Sequence, residues 1–260
     1  MLKVFTLYGE ADLKLTRSRS NTLAYAHDVE VSGALRAARA IAPVVCELIG
    51  TPMSVVDLGG GTGAWCMAFK ECGAQRVYCI DHPAARTSEL LIDEDEFQAA
   101  DLSYDAIAPI RADLAICVEV AEHLPSSRAD WIVGFLTESA PVVLFSAAIP
   151  RQGGAYHINE QPPWYWSQRF AARGYEQRDC LRGRILFDKS IPYWYRQNIM
   201  IYADPARIPP FVSPPLLPEE FELIHQDIVE RLLGPPTLRT AVREFVPAIA
   251  RAINHRLSRR

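Results

Sequence analysis

Short apolar runs alternate with helical stretches through the middle of the chain. The runs SVVDL, RVYCI, EFQAA, LAICV and PVVLF are rich in β-branched and apolar residues, and they predict five strands. The stretches between several of them have the spacing of helices. This rhythm predicts a parallel sheet with helices on both faces.

The flanks of this region follow other patterns. Residues 22–50 carry alanine, leucine and valine at helical spacing, which predicts helices that precede the sheet and cap it. After the fifth run, the glycine- and proline-rich loop Ile149–Pro163 precedes a predicted helix. Two segments, near Tyr175–Arg182 and Asn198–Ala203, then predict two further strands that close one edge of the sheet.

Dense proline marks the end of this region. Prolines between Asp204 and Pro218 predict an extended connector, and two helices separated by Gly234-Pro235-Pro236 are expected after it. The predicted division is a helical cap over 1–50, a ligand-binding α/β domain over 51–204, and the connector with C-terminal helices over 205–260.

The last of these helices is amphipathic. Its apolar face consists of Val242, Phe245, Val246, Ile249, Ile253 and Leu257. We expect this face to pack on its own domain or on a second subunit as a dimer contact. Contact with a membrane surface is the less favoured alternative.

Composition and charge narrow the class of protein. The 260 residues are 49% hydrophobic and 22% charged, as in a globular protein, and the net charge of -4 favours neither nucleic acid nor an anionic membrane as a general partner. The six cysteines form no C-x-x-C pair, which indicates buried thiols in a reducing compartment. With no signal-peptide core and no membrane-length apolar run, we expect a cytoplasmic protein.

A glycine-rich loop follows the first predicted strand in SVVDLGGGTGAW. Gly59, Gly60, Gly61 and Gly63 allow a tight turn and close approach of a ligand, and a helix that starts near Ala64 offers free N–H groups. The loop therefore predicts a nucleotide site. Gly59, Gly61 and Ala64 also satisfy G-x-G-x-x-A, so a nicotinamide dinucleotide remains an alternative ligand.

Acidic residues at three successive strand ends favour S-adenosylmethionine instead. Asp57 precedes the glycines and can orient the loop or meet an amino group. Asp81 ends the second strand, where a carboxylate can accept both ribose hydroxyls. Asp101 follows the third strand and can accept from an adenine amino group, with Leu102 against the ring. One such aspartate alone is often a helix cap, but three together are harder to explain in that way.

With this motif set the chain resembles the class I S-adenosylmethionine-dependent methyltransferases, from about Val55 to Ala203. The resemblance implies an α/β, Rossmann-like doubly wound fold with a seven-stranded sheet whose last strand is antiparallel. Here that sheet would carry N-terminal helices and a C-terminal helical extension. The predicted cofactor-binding residues are Asp57, Gly59, Gly60, Gly61, Gly63, Asp81, His82, Asp101, Leu102 and Val118.

The segment CVEVAEHLP follows the fourth predicted strand. Glu119 would lie at the carboxyl edge of the sheet, where open α/β folds bind ligands. In a helical turn it would face Glu122 at i+3 and His123 at i+4, so the three side chains would converge. The alternative is structural: Glu119 caps a helix, and the other two residues bond to neighbouring loops.

E-x-x-E-H also resembles the metal-binding stretch of ubiquinone-biosynthesis O-methyltransferases and of small-RNA terminal 2′-O-methyltransferases. A histidine beyond the fifth strand completes the site in those groups, and His157 has that position here. The resemblance implies Glu119, Glu122, His123 and His157 as ligands of a divalent metal, with Mg²⁺ or Mn²⁺ favoured and zinc or iron open. Without a metal, His157 or His123 can act as a general base, and Glu119, His123 and His157 are the predicted catalytic residues.

The loop around His157 is predicted to be a lid with Gly153 and Gly154 at its base. Its amides and aromatic rings would suit a polyhydroxylated or ring-bearing acceptor. H-x-N-E-Q and the later W-Y-R-Q-N, Trp194–Asn198, resemble stretches of methyltransferases from polysaccharide and secondary-metabolite biosynthesis. That likeness implies O-methylation of a sugar-containing or natural-product small molecule. The alternatives are N-methylation, an NAD(P)-dependent dehydrogenase, and a non-catalytic cofactor-binding scaffold.

Overall fold

The computed structural model describes residues 33–206. The N-terminal part of the predicted cap, the proline-rich connector and the C-terminal helices lie outside this range. The helices are α1 (33–49), α2 (Ala64–Glu71), α3 (Ala129–Ser139), α4 (Pro163–Ala171), α5 (Arg182–Ile185) and α6 (Tyr193–Asn198). The strands are β1 (Ser54–Leu58), β2 (Arg76–Asp81), β3 (Phe97–Ala99), β4 (Leu114–Val118), β5 (Val142–Ser146), β6 (Glu176–Arg178) and β7 (Met200–Ala203).

The seven strands form one sheet in the order β3-β2-β1-β4-β5-β7-β6. The first five strands of that order run parallel, and β7 is antiparallel to both β5 and β6. This confirms the predicted Rossmann-like sheet with an antiparallel last strand. The chain direction across the sheet reverses between β1 and β4, so a crevice opens at the carboxyl ends of these two strands.

The apolar runs became strands because helices cover both faces of the sheet. All five residues of β1, β4 and β5 are buried. A strand covered on both sides is apolar along its whole length and not at alternate positions only. One core cluster joins the sheet to α1, α2 and α6, and a second joins its other face to α3 and α4.

Helix α1 supplies part of the first cluster. Ala37, Ala38, Ile41, Ala42 and Val45 are fully buried, at the spacing of one helical face. The six cysteines, all of which fall in the described range, are free thiols. Within residues 33–206, no helix has both the length and the apolar character needed to cross a membrane.

Candidate active site

The glycine loop connects the end of β1 to the start of α2. Gly59, Gly61 and Gly63 have φ of +85°, +58° and +92°, a region that other residues rarely adopt. A Cβ on Gly59 would lie 2.5 Å from both γ-carbons of Val120, so the loop packs against the turn that follows β4. A Cβ on Gly61 would meet nothing within 4 Å. Gly61 therefore faces open space, as close approach of a ligand requires.

Asp81 holds this loop from the end of β2. Its Oδ2 accepts a hydrogen bond from Gly61 N at 2.6 Å, and its Oδ1 accepts one from His82 N at 2.5 Å. Burial raises the pKa of Asp81, and the two backbone hydrogen bonds oppose that effect. A carboxylate oxygen has two lone pairs, so both oxygens can still accept from ribose hydroxyls. The ribose contact stays a prediction.

Asp57 lies beneath the loop and not on its open side. Its side chain is buried, and a Cβ on Gly60 would be only 2.5 Å from its Oδ2. That oxygen has no hydrogen-bond partner among residues 33–206. Burial, and secondarily the charge of Asp81, raises the pKa of Asp57 well above its ordinary value. The position favours orientation of the loop over contact with a ligand amino group.

The remaining predicted cofactor residues lie along the same edge. Asp101 follows β3, and its Oδ1 accepts from Ser103 N at 2.9 Å, which closes a tight turn. Leu102, in the turn after β3, and Val118, the last residue of β4, are buried. His82 caps the turn that follows β2, because its Nδ1 accepts from Ala84 N at 3.1 Å. The structure gives His82 a structural role, and its cofactor contact stays a prediction.

The turn after β4 differs from the predicted continuous helix. Glu119 has φ of +56°, in the left-handed region, and the helical hydrogen bonds begin only at the short 3₁₀ turn Ala121–His123. Glu119 therefore lies outside the helical turn that i+3 and i+4 spacing assumes, although its carboxyl group remains close to that of Glu122. Its Oε1 accepts a hydrogen bond from Asn198 Nδ2 at 3.1 Å. Burial raises the pKa of Glu119, and the hydrogen bond from Asn198 is the largest opposing effect.

Glu122 is fully buried in the 3₁₀ turn. Neither of its carboxylate oxygens has a hydrogen-bond partner within the described range. Burial, with the nearby Glu119 carboxyl as the second cause, raises the pKa of Glu122 to about 9. An ionised carboxylate in such a position is costly unless a positive charge lies against it.

Two histidines lie beside Glu122. One potential ligand atom from each of Glu122, His123 and His157 lies within 4.8 Å of the others. The two imidazole rings meet edge to face, with 4.8 Å between their centroids. Glu119, the fourth predicted ligand, is outside this group. The unpartnered oxygens of Glu122 and the nearby ring nitrogens fit a divalent cation, and a set of one carboxylate and two imidazoles suits manganese, iron or zinc better than magnesium.

The loop Ile149–Pro163 brings His157 to this position. The backbone N–H groups of Ile158 and Asn159 donate to Glu122 O at 2.9 and 3.0 Å, and Asn159 Nδ2 donates to Ala121 O at 3.2 Å. Gln161 Nε2 in turn donates to Asn159 Oδ1 at 2.9 Å. These amides were expected to face an acceptor, but they face inward. They fasten the loop to the turn after β4.

The aromatic residues of this segment divide between core and surface. Trp166 is buried, with its ring centroid 5.1 Å from that of Phe145 on β5. Trp164, by contrast, is 47% exposed. Tyr156 and Ile158 on either side of His157 are also exposed. Trp166 therefore anchors α4 to the sheet, and the exposed residues are the ones left to meet an acceptor.

Three buried polar contacts were missed by the sequence patterns. Asn198, at the end of α6, donates through Nδ2 to Gln152 Oε1 at 3.0 Å as well as to Glu119. Glu160 Oε1 lies 3.0 Å from His157 Nδ1. Asn198 is the last residue of the W-Y-R-Q-N stretch and lies just before the apolar strand β7. A polar residue directly before a buried strand is the one signal that could have indicated these contacts.

These features define a Rossmann-like domain whose glycine loop, strand-end acids and sheet order are those of class I methyltransferases. Residues 25–139 of the chain match the family model described as Methyltransferase domain. This part of the chain is therefore similar to methyltransferase domains, and the match favours S-adenosylmethionine over a nicotinamide dinucleotide as the cofactor. No curated protein is significantly similar to the chain in sequence.

Several solved structures are similar to part of this chain at low sequence identity. Human N-acetylserotonin methyltransferase, in complex with its cofactor, is 18% identical over 59% of this chain and 48% of that chain, with a TM-score of 0.40. An O-methyltransferase family protein from Burkholderia thailandensis is 15% identical over 72% of this chain and 61% of that one, TM-score 0.47. The methyltransferase domain of bacterial CtHen1 is 15% identical over 65% and 98%, TM-score 0.46. This likeness is too distant to transfer any residue role or substrate.

Proposed function

We propose that the protein transfers a methyl group from S-adenosylmethionine to a hydroxyl oxygen of a sugar-containing or natural-product small molecule. The observation that carries the proposal is the group of Glu122, His123 and His157 beside the glycine loop. The contact between Gly59 and Val120 joins that loop to the turn that holds the group. Groups suited to prepare an oxygen therefore lie next to the predicted methyl donor.

On the donor side, the chain would hold the cofactor through its strand-end acids. Asp81 would accept from the ribose hydroxyls while it keeps Gly61 in place. Asp101 and Leu102 would bind the adenine, and Asp57 would fix the loop from below. The sulfonium would then lie towards the turn after β4, because Gly59 is in contact with Val120 there.

On the acceptor side, Glu122, His123 and His157 would hold a divalent cation. When bound, such a cation supplies Lewis acidity that lowers the pKa of an acceptor hydroxyl. Asn198 donates a hydrogen bond to the Glu119 carboxylate, which lies close to Glu122. The rings of His123 and His157 can also take a proton from the acceptor hydroxyl, a role that is worth about 10²- to 10⁴-fold in rate for a well-placed base.

The acceptor is proposed to be a small molecule with a ring. The exposed side chains of Tyr156 and Ile158, on either side of His157, and of Trp164 at the start of α4 support this proposal. Aromatic side chains of this kind stack on sugar or aryl rings. The amides of Asn159 and Gln161 are instead engaged in hydrogen bonds within the protein.

The test uses the full chain and two binding measurements before any assay of turnover. Calorimetry should show binding of S-adenosylhomocysteine and none of NADH, and the reverse result would refute the donor assignment. Transfer of labelled methyl groups is then measured on a panel of hydroxylated and amine-bearing metabolites, with and without chelator and added Mn²⁺. Transfer to amines alone would refute O-methylation.

Variants connect this activity to the proposed group. Glu122→Gln and His157→Gln should lose Mn²⁺ binding and most of the transfer. Glu138→Gln is the matched control, because Glu138 is an exposed carboxylate that pairs with Arg173 on the far side of α3. If both site variants keep Mn²⁺ content and rate, the metal-assisted proposal is refuted, even where cofactor binding persists.

A further inference from the structure

The carboxylate of Glu160 is held by two backbone donors of its own loop and contacts His157. Its Oε2 accepts from Arg151 N at 2.8 Å, and its Oε1 accepts from Gly153 N at 2.7 Å. Oε1 is also 3.0 Å from His157 Nδ1. The Glu160 side chain is only 19% exposed. Because the two backbone donors are fixed by the loop, the carboxylate has one orientation, and His157 must adapt to it.

This contact determines which nitrogen of His157 carries its proton. A neutral imidazole has one N–H and one lone pair, and a carboxylate can only accept. With Glu160 at Nδ1, the proton belongs on Nδ1 and the lone pair on Nε2. In free solution the opposite arrangement is the more common one, so the contact must be strong enough to select the rarer form.

The opposite side of the ring is fixed by Gly154. A Cβ at this glycine would overlap the Nε2 and Cε1 atoms of His157, so the ring lies directly on the backbone of residue 154. Gly153, next to it, has φ of +69° and donates to Glu160. The two glycines therefore allow the loop to place the carboxylate and the ring against each other.

We propose that Glu160 is a positioning residue that fixes the orientation of His157 and its Nδ1–H form, which leaves Nε2 as the nitrogen available to a cation or to the acceptor proton. The inference rests on the proposed role of His157 at the acceptor side. A carboxylate behind a metal-ligating histidine fixes the tautomer and the orientation of the ring, so the same contact would position His157 as a ligand or as a base.

The alternative is that Glu160 only holds the loop together through Arg151 and Gly153. Nitrogen NMR of ¹⁵N-histidine-labelled protein at pH 8 separates the two, because the shifts of Nδ1 and Nε2 show which one is protonated. His157→Gln identifies the signal of His157. The wild-type protein should show the Nδ1–H form, and Glu160→Ala should convert it mainly to Nε2–H.

Two further variants make the experiment specific. Glu160→Gln keeps an amide oxygen that can accept from His157 Nδ1 and Gly153 N, so it should retain Nδ1–H. Gln161→Ala removes a side-chain hydrogen bond from the same loop without touching His157. This variant should also retain the Nδ1–H form of His157. An Nε2–H form in the wild type, or an unchanged Nδ1–H form in folded Glu160→Ala, would overturn the proposal. If Glu160→Ala does not fold, the wild type and Glu160→Gln test the proposal. An Nε2–H form of His157 in either protein overturns the proposal.

Calorimetric titration with Mn²⁺ gives a second readout. Glu160→Ala should bind Mn²⁺ about 10- to 100-fold more weakly than the wild type, as for other carboxylates behind metal-ligating histidines. Gln161→Ala should stay within about twofold, and equal affinity in all proteins would contradict the role of Glu160. If the wild-type protein shows neither Mn²⁺ binding nor methyl transfer, the proposed function is refuted. The NMR result still decides whether Glu160 fixes the Nδ1–H form of His157.

Discussion

Substitution of Gly61 by alanine separates the cofactor site from the stability of the fold. Gly61 has φ of +58° and open space where its Cβ would lie. The change therefore has a backbone cost of about 1–2 kcal/mol, the cost of a left-handed conformation for a residue with a side chain. It creates no clash in the free protein. In the bound protein, the added methyl group takes up space on the side of the loop that a ligand must approach.

Gly174→Ala is the matched control. Gly174 has φ of +81°, again with nothing within 4 Å of the place where a Cβ would lie, but it is between α4 and β6 and not in the glycine loop. Both variants should lose a similar 1–2 kcal/mol or so in urea unfolding. Gly61→Ala alone should weaken S-adenosylhomocysteine binding in calorimetry by at least about tenfold, or ~1.4 kcal/mol.

Gly59→Ala completes the series. Its Cβ would lie 2.5 Å from both γ-carbons of Val120, so the overlap adds about 1–3 kcal/mol to the backbone cost. We expect it to be the least stable of the three variants. If Gly61→Ala and Gly174→Ala bind the ligand equally well, the loop is not the cofactor site. If Gly59→Ala is as stable as the other two, the packing argument is wrong.

Three further variants test separate parts of the structure. Asp81→Ala removes the acceptor of Gly61 N and should weaken S-adenosylhomocysteine binding about 10²-fold or more in calorimetry. Hydrogen bonds to a charged group are worth about 1.5–3 kcal/mol each. Unchanged affinity would contradict the assignment of Asp81 to the cofactor site. Burial makes folded Glu122 hold its proton, so metal-free wild type should lose stability as pH rises from 4.5 to about 9, by up to ~1.4 kcal/mol per pH unit. In urea unfolding at pH 6 and 8, the unfolding free energy of Glu122→Gln should fall less between the two pH values than that of the wild type. An equal fall in both proteins would refute the raised pKa of Glu122. Tyr175→Phe loses a buried hydroxyl that donates to Thr137 O at 2.7 Å and should cost about 1–3 kcal/mol of unfolding free energy without a change in ligand affinity.

The sequence predicts the sheet well because its central strands are covered on both faces. A strand that is shielded from water on both faces needs a continuous apolar run such as LAICV or PVVLF. Few other elements of structure need such a run. The glycine loop is equally predictable, since three positive φ angles in five residues are rarely adopted without glycine. Local chemistry alone determines both features.

The site was less predictable because it depends on contacts between distant segments. The spacing of Glu119, Glu122 and His123 assumes a helix, but Glu119 has a left-handed φ. Its carboxylate accepts a hydrogen bond from Asn198, in another part of the chain. Likewise, no pattern in H-x-N-E-Q tells which side chains face the acceptor. Glu160 turns inward because two backbone N–H groups of the loop are there to bind it.

The buried carboxyl of Glu122 connects these contacts to function. A fold gains nothing in stability from a carboxylate that has no hydrogen-bond donor, and an apolar residue of similar size would pack at lower cost. The backbone N–H groups of Ile158 and Asn159 donate to the carbonyl oxygen of Glu122, so these two bonds fasten the loop that carries His157 without neutralising the acid. The rings of His123 and His157, with centroids 4.8 Å apart, lie beside this acid and would share a bound cation with it. We therefore expect the cost of burying Glu122 to be recovered when a cation binds at the turn after β4, with an affinity that depends on the ionised form of Glu122.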